Sequence, residues 1–110
     1  MTEDWIVHLT TRQAWDTAQE IGGYYASSLD TEGFIHCSRP GQVLAVANRF
    51  YRDLPDPVLL WIDAGLVTAE IRWEAADGEI FPHIYGAINL DAVMQVRDLT
   101  PDPDGIFRMI

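Results

Sequence analysis

Val58-Leu59-Leu60-Trp61-Ile62 is an unbroken apolar run in which neighbouring residues point to opposite sides if the segment is extended. A strand apolar on both faces must be covered on both, so this run reads as a central strand, and the rest of the chain has to supply two layers around it. The chain is 110 residues long, one domain (1–110) by size. Its apolar fraction of 48% is enough for a real core despite a formal net charge of -10.

The remaining segments divide into helices first and strands later. Trp5-Ile6-Val7-His8-Leu9 is short, apolar and β-branched, a buried strand. Thr10-Thr11-Arg12-Gln13 fits a capping box, and Gly22-Gly23 a helix stop, which predicts a helix over 11–21. Tyr24 to Leu29 fits either a strand or a turn, and Asp30 to Gly33 reads as a turn. Phe34-Ile35-His36-Cys37 is a second short strand. Ser38-Arg39-Pro40-Gly41 then opens a predicted helix over 40–52, with Ser38 as its cap and a stripe of Val43, Leu44, Ala47, Phe50 and Tyr51. Further strands follow at 69–74, 80–86 and 92–99. Asp77-Gly78 reads as a hairpin turn, and Pro82 as a mark of a sheet edge or strand start. Ile106-Phe107 is expected to dock back on the core. Two main helices followed by runs of strands give an α+β fold.

The charge excludes broad classes of partner. Acids number 17 against seven Arg and no Lys, and the arginines are scattered. Non-specific nucleic-acid binding and anionic membranes both need clustered cations. Schiff-base chemistry has no lysine to use. No apolar run reaches the roughly 18 residues of a membrane span. The acidic start Met1-Thr2-Glu3-Asp4 lacks the pattern of a secretion signal, and a single cysteine, Cys37, agrees with a reducing compartment, so the protein is expected in the cytoplasm.

Chemistry must then come from arginine, helix N-termini or the three histidines. His8, His36 and His83 each sit in a short apolar strand, and they are expected to line one cleft as the catalytic residues. No HxH, HxxxH or CxxC spacing occurs, so no metal site is expected; His36 and Cys37 point to opposite faces of their strand. Ser38 and Arg39, at the expected helix start, form an anion-ready corner. Glu74, at a strand end, is a candidate general base or ligand-orienting carboxylate, and Tyr85 a ring for a ligand to stack on.

Val7-His8-Leu9-Thr10, Gly33-Phe34-Ile35-His36-Cys37-Ser38 and Phe81-Pro82-His83-Ile84-Tyr85-Gly86 also carry a likeness. With Trp15, Gly23-Tyr24-Tyr25 and Asn89-Leu90 they resemble the small bacterial family known as domain of unknown function 952, over essentially the whole chain. That family is similar at long range to the ADP-ribosyltransferase fold. The resemblance implies a split, mostly antiparallel sheet around an NAD-type cleft. It implies that His8 contacts the nicotinamide ribose, that His36 and Ser38 form the middle motif, and that His83 and Tyr85 form the third. The glutamate many such transferases carry in the third motif has no counterpart, since His83 stands in that block. Two functions stay open: an NAD- or nucleotide-dependent group-transfer enzyme, or a non-catalytic small-molecule-binding or protein-interaction module.

Overall fold

The computed structural model describes residues 4–110; the acidic start at Met1–Glu3, read above against a secretion signal, lies outside the described residues. Strand β1 (Trp5–Thr11) pairs antiparallel with β3 (Pro57–Asp63), which pairs antiparallel with β6 (Val93–Asp98). The second sheet has the order β2 (Ile35–His36), β5 (Glu79–Tyr85), β4 (Glu70–Ala76), again all antiparallel. Helix α1 (Arg12–Ile21) follows β1, a single turn α2 (Ser28–Thr31) precedes β2, and α3 (Val43–Phe50) follows it. The fold is α+β, as its element order predicts.

The apolar run at 58–62 is the centre of the first sheet, and its alternation builds two cores. Val58, Leu60 and Ile62 join Trp15 and Ala18 of α1 on one face. Leu59 joins Val43 and Ala47 of α3 on the other. Full burial of side chains of this size stabilises by about 1.5–3 kcal/mol each, so this strand anchors the fold. Phe107 docks into the α3 side, as expected of the tail.

One bridge joins the two sheets. The N–H of Val7 donates to Ser38 O and the N–H of Ser38 to Val7 O, both at 2.8 Å. This contact sets His8 of the first sheet beside His36 of the second.

Several boundaries differ from the sequence reading. Thr11 caps α1, its Oγ1 accepting from the N–H of Ala14, which moves Gln13 out of the capping box. Gly22 ends the helix in the left-handed region (φ 97°). Ser38 is not a helix cap: its backbone is used in the bridge to Val7, and α3 begins only at Val43. The intervening turn is closed by the Gln42 N–H on Arg39 O (2.9 Å) and by the Gln42 side chain accepting from the Arg39 N–H (2.9 Å). Tyr24 forms an isolated bridge to Ile88, and Asp30 and Thr31 belong to α2. Pro82 lies in the middle strand, not at an edge. Its carbonyl accepts from the Cys37 N–H (3.1 Å), but proline has no N–H to return to Cys37, so this pair makes one bond where two are usual and β2 ends there. Asp77 and Gly78 have φ of 51° and 82°, as a two-residue type I′ hairpin between β4 and β5 requires.

Candidate functional site

Alternation on the second sheet separates an apolar face from a polar one. Ile35 and Ile84 turn into the core. His36, His83, Tyr85 and Glu74 share the opposite parity and crowd together. His36 and His83 are cross-strand partners. Because the neighbouring Cys37–Pro82 pair carries the ladder bond, they form a non-hydrogen-bonded pair, the close kind. Their ring centroids are 5.4 Å apart. Phe34 stacks on His83 at 4.2 Å and leans on His36 and Tyr85 at 4.7 and 5.3 Å, fixing both imidazoles.

Glu74 stands behind His83. Its Oε1 accepts from His83 Nδ1–H (2.9 Å) and from the Tyr85 hydroxyl (2.5 Å). These two bonds, the tyrosine's first, hold the Glu74 carboxyl below its ordinary value, with Arg72 adding to the effect. The same carboxylate raises the Tyr85 phenol. Arg72 lies over the Tyr85 ring at 4.3 Å. His83 is buried and its Nε2 has no hydrogen-bond partner among the described residues. His36 is exposed and donates from Nε2 to Glu32 Oε2 (2.7 Å).

His8 has a different character. Nδ1 lies 2.6 Å from the carbonyl oxygen of His36, which can only accept, so Nδ1 carries the proton. In the neutral ring Nε2 then accepts from the Tyr24 hydroxyl at 2.9 Å, and Thr10 Oγ1 continues the chain 2.8 Å from the tyrosine oxygen. Burial pushes the His8 pKa down to about 4, with the charge of His36 adding to the effect and the bond to the His36 carbonyl opposing it. Both ring nitrogens are thus consumed inside the protein.

Two adjoining cavities share His36 and Tyr51 as walls. The larger, about 500 Å³, is lined by His8, Thr10, Tyr24, Tyr25, Ser28 and Glu32 among others. The smaller, about 240 Å³, is lined by Ser38, Phe50, Asp77, Phe81 and His83. Neither is lined by an arginine. Among the described residues no group of three or more His, Cys, Asp or Glu is arranged to hold a metal ion. No described helix is long and apolar enough to cross a membrane.

A family model described as protein of unknown function, DUF952, matches residues 9–96. The chain belongs to this family. It is similar to protein CC0527 from Caulobacter crescentus. The crystal structure of that protein superposes with a TM-score of 0.86 at 30% identity, covering 94% of this chain and 93% of the other. Its solution NMR structure gives 0.81 at 30% identity, covering 96% and 92%. No curated protein matches.

Within this DUF952 member the sequence candidates fall into separate places. His36, His83 and Ser38 line the smaller cavity, and His8 and His36 the larger. Glu74 and Tyr85 line neither; they support His83 from behind. Arg39 is elsewhere. Its guanidinium lies 4.8 Å from the ring centroid of Trp73, on the strand face opposite Glu74, in a cavity with Asp4, Trp5 and Pro40. The expected anion corner of Ser38, Arg39 and a helix start is therefore not formed, because the chain spends residues 39–42 on a turn. Phe34, Glu32, Tyr51 and Arg72 also surround the site, although nothing in the sequence marks them as functional. The two-residue spacing from His36 puts Phe34 on the same face but assigns it no role. Tyr51 and Arg72 arrive from elements far apart in sequence.

Proposed function

We propose that the cleft is the site of a small-molecule group-transfer enzyme in which Glu74 and His83 work as a proton-transfer pair. The observation that carries this reading is Glu74 Oε1 accepting from both His83 Nδ1–H and the Tyr85 hydroxyl, which leaves His83 Nε2 as a free lone pair beside a cavity. A carboxylate on Nδ1 fixes the tautomer and orientation of an imidazole that takes a proton at Nε2, and stabilises the imidazolium that results. His83 would accept a proton from a hydroxyl or amine of the bound molecule and return it to the leaving group. His36 and Ser38 would position that molecule. His8 is a structural residue on this reading, holding β1 to β2.

The nucleotide form of the expectation fits these residues poorly. A pyrophosphate needs cations or free backbone donors, and no arginine lines either cavity. At the start of α1 the N–H of Arg12 already bonds Asp56 O and that of Ala14 bonds Thr11 Oγ1. His8 has no nitrogen left for a ribose hydroxyl. A neutral or cationic substrate suits the cleft better. The ADP-ribosyltransferase resemblance concerns fold, and fold alone does not fix the substrate. The rival, a non-catalytic binding module, draws support from the full internal satisfaction of His8. We place the protein in the cytoplasm, where the one thiol, buried Cys37, meets a reducing environment.

Calorimetric titration tests the proposal. NAD, ADP-ribose and nucleoside phosphates are compared with uncharged and amine-bearing molecules, on the wild type and on His83→Gln. Anionic nucleotides are expected not to bind below millimolar. Turnover of a compound that does bind should fall about 10²–10⁴-fold in His83→Gln. Tight nucleotide binding, or turnover indifferent to His83→Gln, would overturn it.

A further inference from the structure

We propose that the smaller lobe takes a small organic cation of the alkylammonium class, with Tyr51, Phe81 and Phe50 as its aromatic walls and Asp77 as its counter-ion. This rests on the reading of the cleft as the functional site, and it names the substrate class. Three rings and two imidazoles line a cavity of about 240 Å³, below the roughly 300–1,000 Å³ that holds a drug-sized ligand. The π faces of such rings attract a cation electrostatically, and the attraction grows as water is excluded.

The lining itself carries a single formal charge, and it is negative. Asp77 is the formally charged residue in its lining, at the tip of the β4–β5 hairpin, and it has no ion-pair partner among the described residues. Glu32 stands on His36 at the boundary with the larger lobe, and Glu74 stands behind His83. Arg49 lies outside the lining, with its guanidinium 5.0 Å from the Phe50 ring centroid. That contact occupies part of Phe50, so Tyr51 and Phe81 supply the principal walls. Arg72 is committed to Glu70 and the face of Tyr85. At the scale of the whole molecule, a net charge of -10 raises the local concentration of cations and lowers that of anions. The proposal also supplies His83 with a partner of suitable kind: an ammonium-bearing alcohol seated by its head group would present its hydroxyl to the cleft.

Choline, its uncharged carbon isostere 3,3-dimethylbutan-1-ol and AMP are titrated into the full-length protein, followed by NMR signals of Tyr51, Phe81, His36 and His83. Choline is expected to shift these signals with an affinity about tenfold above that of the alcohol. Asp77→Asn, a surface change that the positive-φ turn tolerates, should remove most of that advantage and leave the alcohol unaffected. Equal binding of choline and alcohol overturns the cationic class while leaving the cleft as the site. Preference for AMP overturns the cationic class and the case against nucleotides together. If no probe of any charge moves the lining signals, both this inference and the cleft reading fall.

Discussion

Acid should weaken this protein through His8 before its carboxylates are fully protonated. In the native state His8 is 8% exposed, donates to the His36 carbonyl and accepts from Tyr24; burial holds its pKa at about 4. In the unfolded chain the same ring titrates near 6.5. Between those values the unfolded state binds more protons than the native state, so stability rises with pH across the window and falls on acidification through it. The stabilisation is fully present above pH 6.5 and is lost as pH drops toward 4. A gap of this size at about 1.4 kcal/mol per unit amounts to roughly 3 kcal/mol by pH 4, a large share of a typical 5–15 kcal/mol domain stability. The assay is urea unfolding followed by tryptophan fluorescence at half-unit steps from pH 7.5 to 4, on the wild type and on His8→Gln. The variant is expected to be less stable at pH 7, since it loses the packed imidazole and its two bonds, yet to show a pH slope shallower by the His8 contribution. The difference between the two curves isolates His8 from His36, His83 and the carboxylates, which both proteins share. Parallel curves, or a His8 ring signal that titrates near 6.5 in the native protein, would refute the buried neutral assignment.

Other expectations follow from single contacts. Glu74→Gln removes the charge that raises the Tyr85 phenol, so ultraviolet difference titration should show that tyrosine ionising at lower pH than in the wild type; an unchanged curve would dissolve the Glu74–Tyr85 bond. Thr11→Ala deletes the hydroxyl that caps α1 and should cost about 1 kcal/mol in chemical denaturation, with a null effect counting against the cap. Gly86→Ala should destabilise by about 1–3 kcal/mol, because a Cβ there would meet Ala69 Cβ at 2.9 Å and φ is 154°, whereas Gly41→Ala, with open space around it, should be nearly neutral. Equal effects of the two glycine changes would be evidence against the tight approach of β5 to the loop before β4.

The parts of the fold legible in the sequence are those decided by local pattern. The run at 58–62 has one physical solution, burial on both faces, and the structure adopts it with two clusters sharing one strand. Gly22 and the Asp77-Gly78 pair mark positive-φ positions that few other residues tolerate. The misreadings come from long-range competition. Ser38 suits a helix cap locally, but Val7, 31 positions earlier, takes its backbone for the bridge that joins the sheets. Pro82 suits an edge locally, but β2 is two residues long and ends where the missing N–H would have been needed.

The candidate site divides along the same line. Three histidines in similar apolar strands look equivalent in one dimension. What distinguishes them is the partner of each nitrogen, and partners come from other elements. His8 meets a backbone carbonyl and a tyrosine and is silenced; His36 meets an exposed carboxylate; His83 meets a carboxylate on one nitrogen and, among the described residues, nothing on the other. Only the last arrangement combines a fixed tautomer with a free lone pair, which proton transfer requires. Glu74 reaches that position because β4 pairs with β5 so that Arg72 opposes His83 and Glu74 lies one same-face step along, within reach of both His83 and Tyr85. A register slip of one residue would turn Glu74 to the opposite face and leave His83 without its carboxylate. The β4–β5 hairpin register, set by the type I′ turn at Asp77-Gly78, is therefore what gives His83 the carboxylate on which its proposed role rests.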